Sequence, residues 1–185
     1  MMRWSAIGLA LAMTAPAGAQ AISSFGAVHG NVAFDAKATL GDFTGTSESV
    51  SGRIVGAAAV EGVRGWVEFP AASLRTGNGK RDRDMRSSLE VEKFPVIRFE
   101  LDAIRAGAVS GDSIPVTLRG RFTIHGVTRI TAVRGWGWVT ATAVRFHGST
   151  PMSLLDHDIG GLSKAFGLLK MQPDIVVRMD LSFTN

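Results

Sequence analysis

The chain contains no cysteine and no tyrosine among its 185 residues, and only 19% of its residues are charged. Without cysteine it has no disulfide framework, no thiol nucleophile and no cysteine-ligated zinc site. Its 20 Lys and Arg residues exceed its 16 Asp and Glu residues by four. That excess is small for nucleic-acid binding, which needs a coherent basic face that neutralises several phosphates. We therefore expect no thiol chemistry and no nucleic-acid partner.

Apolar residues and glycine are plentiful. Hydrophobic residues make up 45% of the chain and glycine occupies 22 positions, a composition that is too apolar for a disordered chain and typical of a turn-rich β protein. The length fits one domain, and the sequence shows neither an internal repeat nor a linker. We predict a single domain over residues 22–185.

Residues 1–21 have the features of a secretory signal peptide. One charged residue, Arg3, precedes an apolar run over residues 6–13, and small residues with A-x-A cleavage sites follow up to Ala21. The apolar run is far shorter than the ~20 residues that cross a bilayer, so a retained membrane anchor is the weaker alternative. We predict cleavage of this segment and export to a bacterial periplasm.

Three segments alternate between apolar and polar residues, as half-buried β-strands do. The first segment begins near Ile97, the second near Val116 and the third near Ile175. Weaker alternation runs through residues 32–34, 50–54, 63–69 and 127–146, the last of which is long enough for two strands joined near Arg134 and Gly135. The pattern predicts about eight strands.

Eight long strands favour an antiparallel barrel, because closure removes unpaired sheet edges; a sandwich is the alternative. A spacing of four between Met85 and Leu89, with Asp82 four residues before Arg86, predicts a short surface helix between Asn78 and Leu89. Residues 155–169 are ambiguous and fit a loop with a helical turn.

Alternation alone does not fix which face of each strand points inward. A membrane barrel has the same period with its apolar face toward lipid. The absence of tyrosine for the interfacial aromatic girdles opposes that arrangement. The charged face formed by Arg98, Glu100 and Asp102 reads as a solvated exterior, and we expect the apolar face to lie inside.

Three stretches carry motifs in a characteristic order. Residues 73–77 read SLRTG, residues 93–99 read KFPVIRF, and residues 120–128 read GRFTIHGVT. Together with Phe34 and Phe43, these motifs resemble the YceI-like family of exported lipocalin-like proteins over most of the chain after residue 21. The resemblance implies an eight-stranded antiparallel lipocalin-like barrel whose apolar interior holds a polyisoprenoid or a similar long lipid tail.

We expect the apolar face of the strands to line the ligand cavity. The candidate ligand-binding residues are Phe34, Phe69, Ile97, Phe99, Leu118, Phe122, Val177, Met179 and Leu181. Each buried CH₂ group of a tail contributes ~0.8 kcal/mol before ordering costs, so a long tail binds without a charged contact. The same residues suit a filled core, and the alternative function is a barrel without ligand that acts as an envelope stress or protein-interaction module. A homodimer fits either function.

Two histidines are candidates for chemistry. His125 ends a predicted strand and, with Asp82 or Asp156, has the groups of a general base, but a hydrogen-bonded turn residue is the favoured interpretation. His157 between Asp156 and Asp158 imitates a metal site, yet three adjacent loop residues do not easily face one ion. The chain also lacks a G-x-S-x-G elbow and the P-loop spacing. We predict a binding protein with no catalytic residue, cofactor or metal.

A basic cluster surrounds the predicted helix. It consists of Arg75, Lys80, Arg81, Arg83, Arg86 and Lys93, and nearby acidic residues offset most of its charge. Arginine binds phosphate oxygens in a bidentate manner, which suits a phosphorylated lipid head at the barrel mouth. The favoured interpretation is a solvated helix surface with i,i+4 ion pairs.

Overall fold

The computed structural model of the protein describes residues 21–160, 163–164 and 169–185, and within these ranges it has ten strands and one α-helix. The elements are β1 (Ala27–Ala38), β2 (Phe43–Ser47), β3 (Ser51–Val55), β4 (Arg64–Pro70), α1 (Gly79–Ser88), β5 (Val96–Ala106), β6 (Ile114–Ile124), β7 (Val127–Val139), β8 (Ala143–Ser153), β9 (Ser163–Lys164) and β10 (Leu169–Thr184). Of the signal peptide predicted over residues 1–21, only Ala21 lies within the described residues. No helix in the described ranges has the length and apolar character to cross a bilayer.

The strands form one antiparallel sheet in the order β2-β1-β10-β8-β7-β6-β5-β4-β3, and β9 pairs with β10 outside that path. The sheet curls until its ends meet. Phe25 exchanges backbone hydrogen bonds of 3.0 and 2.9 Å with Ile54 of β3, and Thr46 of β2 exchanges bonds of 2.8 and 2.9 Å with Arg75. These bridges pair the edges that a flat sheet would expose. The predicted all-β lipocalin-like barrel with one short helix is therefore confirmed, and the sandwich alternative is wrong.

The predicted count of eight strands falls short because β2 and β9 lack the expected pattern. β9 has only two residues, too few to show a period. In β2 the inner positions are Phe43, Gly45 and Ser47, so Phe43 alone is apolar there and no alternation marks the inner face. Gly45 is required there because a Cβ atom would lie 2.2 Å from the ring of Phe34 on β1.

The turn between β7 and β8 lies at residues 140–142, so its prediction near Arg134 and Gly135 was wrong. Gly135 sits within β7, where a Cβ atom would lie 2.1 Å from the carbonyl oxygen of His147 on β8. The glycine therefore allows β7 and β8 to approach each other closely. The observed turn is held by Thr140, whose N–H donates to the Ala143 carbonyl at 2.9 Å and whose Oγ1 accepts from the Ala143 N–H at 3.0 Å.

The apolar face of the alternating strands lies inside the barrel, as expected. Ile97 and Phe99 of β5 are each 5% exposed. Arg98 and Glu100 alternate with them along the strand and form an ion pair on the outer face, with 3.2 Å between Arg98 Nη2 and Glu100 Oε1. The hydrogen bond from Arg121, reinforced by Arg98, lowers the pKa of Glu100. Such partly exposed pairs contribute little stability. The inward-facing side chains form the hydrophobic core, and they leave unfilled space inside the barrel.

Candidate functional site

The barrel encloses a cavity of about 540 Å³ at the end where α1 lies, called here the main cavity. Its apolar lining from the strands includes Val32, Phe34, Phe69, Ile97, Phe122, Ile124, Ile175 and Val177. Its lining from α1 and the connecting segments includes Leu74, Met85, Leu89, Leu154 and Ile159. The volume falls within the ~300–1,000 Å³ typical of small-molecule sites. The main cavity can therefore hold an elongated apolar molecule.

The mouth of the main cavity is the part of its lining that is exposed to solvent. Lys80 of α1, Lys170 of β10 and the 77% exposed Leu40 lie there, with Arg81 and Asp84 beside them. The Arg81 guanidinium carbon is 4.1 Å from the centroid of the Phe43 ring. The apolar interior thus opens through a rim that carries more positive than negative groups, a rim compatible with a polar or anionic head group.

The predicted basic cluster does not act as one surface. Of its six members, only Lys80 and Arg81 line the main cavity. The Arg75 guanidinium donates to the carbonyls of Ala72 and Leu74, and Lys93 lies 3.9 Å from a Glu90 carboxylate oxygen. Arg75 therefore stabilises its own turn, away from the mouth.

The helix α1 is positioned by a local hydrogen-bond network at its start. The Asn78 side chain accepts from the N–H groups of Lys80 and Arg81, each at 3.1 Å, which satisfies the first turn. Asp82, expected on the helix surface four residues before Arg86, is instead 7% exposed. Its Oδ1 accepts from the Thr76 hydroxyl at 2.6 Å and the Thr76 N–H at 2.9 Å, and these bonds lower the Asp82 pKa. The contact fixes the helix over the main cavity.

The nine candidate ligand-binding residues all face the interior, but they divide between two cavities. Phe34, Phe69, Ile97, Phe122 and Val177 line the main cavity. Phe99, Leu118, Met179 and Leu181 line a separate cavity of about 90 Å³ at the opposite end of the barrel, called here the second cavity. Alternation identifies the inner face of a strand, but it does not show how far along the barrel each residue lies.

Several lining residues were not predicted because they lie outside strands. Leu74 follows a 3₁₀ turn, and Met85 and Leu89 come from α1 and its C-cap. Leu154 begins another 3₁₀ turn and Ile159 follows it. The spacing of four between Met85 and Leu89 was a signal that the helix has an apolar side facing the barrel. The Leu154–Ile159 segment carries no periodic signal.

His125 occupies the two-residue turn between β6 and β7. It has a φ of 52° and Gly126 a φ of 73°, the left-handed pair that a tight type I′ hairpin needs. Its Nε2 lies 3.1 Å from Glu90 Oε2 and its Nδ1 lies 3.2 Å from the His157 carbonyl oxygen. The predicted partners Asp82 and Asp156 do not contact it through these atoms. The side chain links three loops, which matches the turn interpretation.

His157 lies in the 3₁₀ turn Leu154–His157 and is 2% exposed. Its Nδ1 is 3.0 Å from the Val127 carbonyl oxygen, so the ring points into the protein while Asp156 and Asp158 are exposed. Across the described ranges, no group of three His, Asp or Glu residues is arranged to hold a metal ion. Burial lowers the pKa of His157, which keeps the imidazole neutral. The ring anchors the turn that carries Leu154 and Ile159 into the main cavity.

Acidification is expected to destabilise the protein through His157. Because its folded-state pKa lies below the ordinary value of about 6.5, the unfolded state binds more protons, and the free energy of unfolding falls as pH drops below that value, by at most about 1.4 kcal/mol per pH unit. Urea denaturation of the wild type and His157→Gln across this range measures the effect. Glutamine has no group that titrates in this range, so the variant should lose less stability with pH.

The exposed His29 provides the matched control, since His29→Gln should follow the wild-type pH dependence. An equal pH dependence in His157→Gln and the wild type would contradict the assignment. Asp82 and Glu100 have lowered pKa values, so their contribution to stability is lost in a separate and more acidic range, as pH falls below the ordinary carboxyl values of about 4.

Comparisons with known proteins agree on the fold. The YceI-like domain model matches residues 24–183. A comparison with curated proteins found no match. The fold is similar to that of a polyisoprenoid binding domain from Saccharophagus degradans implicated in plant cell wall breakdown, with a TM-score of 0.71, 16% identity, and coverage of 88% of this chain and 98% of that one.

It is also similar to Burkholderia cenocepacia BcnA, with a TM-score of 0.67, 16% identity, and coverage of 82% of this chain and 94% of that one. For a Campylobacter jejuni YceI protein the TM-score is 0.58, the identity 15%, and the coverage 76% and 84%. At such identities the structural likeness shows the fold, while the family match spans nearly all of the described barrel. This chain, with its curled antiparallel sheet and its apolar cavity beneath helix α1, belongs to the YceI-like domain family.

Proposed function

We propose that the protein binds the tail of a polyisoprenoid or a similar long apolar lipid in the main cavity, and that it sequesters or carries this lipid in the periplasm. The main cavity is the observation that carries the proposal. It has about 540 Å³ of space between apolar side chains and an exposed, mainly cationic rim. A tail placed inside would be removed from water while its polar head stays at the mouth. The proposed role requires no chemical step.

Membership of the YceI-like family and the fold shared with a polyisoprenoid binding domain support a lipid as the ligand. The predicted signal peptide over residues 1–21 supports the periplasm. The strand residues proposed to contact the tail are Phe34, Phe69, Ile97, Phe122 and Val177, and the deeper group of Phe99, Leu118, Met179 and Leu181 lies beyond the main cavity.

We expect protein purified from its own host to retain an extractable lipid, and lipid-free protein to gain thermal stability when a prenyl alcohol such as farnesol is added. At a free ligand concentration of about 100 times the dissociation constant, the stabilisation is about 2.7 kcal/mol. Native mass spectrometry before and after organic extraction identifies the bound mass, and a thermal melt measures the stabilisation. Absence of both a bound lipid and a thermal shift would overturn the proposal.

A further inference from the structure

The main cavity does not run the full length of the barrel. It is lined by the last residues of β4 and β6 and by early residues of β5 and β10, whereas the second cavity is lined by residues at the opposite ends of the same strands. The second cavity is also apolar, with Ile54, Val67, Leu118, Phe146 and Leu181 in its lining. Among the described residues, none lines both cavities.

Two phenylalanines form part of the wall between the cavities. Phe99 of β5 and Phe122 of β6 are directly paired across the sheet, and their ring centroids are 5.6 Å apart with the planes tilted by 52°. Phe122, 2% exposed, faces the main cavity, and Phe99, 5% exposed, faces the second. On the opposite side of the interior, Val177 lines the main cavity and Met179 the second.

The position of the Phe99 ring is fixed by Gly120 on β6. A Cβ atom at residue 120 would lie 2.7 Å from Phe99 Cζ and 2.1 Å from the Glu100 carbonyl oxygen, so only glycine fits. The register between β5 and β6 shifts between Leu101 and Ala103, beside this glycine. The absent side chain therefore lets the ring of Phe99 lie against β6 and in contact with Phe122, with both rings packed in the buried core.

We propose that the Phe99–Phe122 pair is a specificity determinant that limits the length of the bound tail by closing the main cavity off from the second cavity. This inference rests on the proposed lipid-binding function. Each methylene group that enters the main cavity should raise affinity about fourfold. Once the tail reaches the phenylalanine pair, further groups remain at the mouth in water and the affinity stops rising.

The experiment uses prenyl alcohols of increasing length, from farnesol to solanesol, with dissociation constants measured by native mass spectrometry on the full barrel. For the wild type, affinity should rise with length and then reach a plateau. In Phe99→Ala the two cavities join, and the plateau should move to longer alcohols. Phe99→Leu, which keeps more apolar volume in the core, should move the plateau in the same direction if Phe99→Ala does not fold.

A second substitution separates an opened passage from general loosening of the core. Gly137 of β7 lines the second cavity, and the nearest heavy atom to a Cβ placed there is 3.8 Å away, so the backbone accepts a Cβ atom without a clash. Gly137→Leu should fill the second cavity. It should leave the wild-type plateau unchanged and should return the plateau of Phe99→Ala to the wild-type length.

The outcomes separate this inference from the function on which it rests. Failure of every alcohol to bind the wild type would overturn the proposed function and the length limit with it. Binding without a plateau in the wild type, an unchanged plateau in the Phe99 variants, or a plateau in Phe99→Ala that Gly137→Leu does not restore would overturn the length limit alone.

Discussion

We expect Val177→Trp to weaken the binding of an apolar tail by about 100-fold or more while the barrel stays folded. Val177 is 5% exposed in β10 and its side chain lines the main cavity. An indole at this position projects into space that the tail would occupy. If it displaces roughly four methylene groups at ~0.8 kcal/mol each, binding loses about 3 kcal/mol, which corresponds to more than a hundredfold in affinity.

The neighbouring residue supplies a matched control. Val176 lies on the outer face of the same strand and is 40% exposed, so Val176→Trp adds the same side chain outside the cavity and should bind farnesol like the wild type. Titration followed by native mass spectrometry compares the three proteins, and thermal melts verify folding. Equal affinities for Val177→Trp and Val176→Trp would place the ligand outside the main cavity.

The fold could be predicted from sequence where one face of a strand is apolar and the other polar. β5, β6 and the C-terminal part of β10 have that pattern, and their inward residues were correctly identified as inward. β2 could not be found in this way, because Phe43 is followed on its inner face only by Gly45 and Ser47, and glycine is needed under Phe34. When small residues fill the inner positions of a strand so that neighbouring groups can pack closely, the sequence shows no alternation of apolar and polar residues.

The candidate site was less predictable, because alternation has no information on depth. Ile97 and Phe99 are two residues apart on one face, yet the first lines the main cavity and the second the cavity at the opposite end. Leu89 and Ile159 enter the lining from a helix end and a turn. The chain path there is set by the hydrogen bonds of Asp82 with Thr76, six residues earlier, and of His157 with the distant Val127 carbonyl. The His157 contact depends on the assembled barrel and leaves no local pattern.

Phe25→Ala is expected to have the largest effect on stability, because this residue closes the barrel. Phe25 is 1% exposed, and its backbone forms the bridge to Ile54 that joins the two ends of the sheet. Nearby bonds extend the junction, from the Ile22 N–H to the Ala57 carbonyl at 2.8 Å and from the Gly56 N–H to Ser24 Oγ at 2.9 Å. Removing a buried phenylalanine side chain typically costs about 3–5 kcal/mol, out of the roughly 5–15 kcal/mol that stabilise a folded domain.

Urea denaturation of the domain without residues 1–21 measures this loss, and hydrogen exchange at the Ile54 amide reports whether the junction opens first. Ile130→Ala is the control, because Ile130 is 67% exposed and its truncation should change the free energy of unfolding by less than about 0.5 kcal/mol. If Phe25→Ala lost no more stability than Ile130→Ala, the buried ring would not be what holds the ends of the sheet together. A large loss, with early exchange at Ile54, would show that the cavity depends on a junction formed by the first residues of the domain.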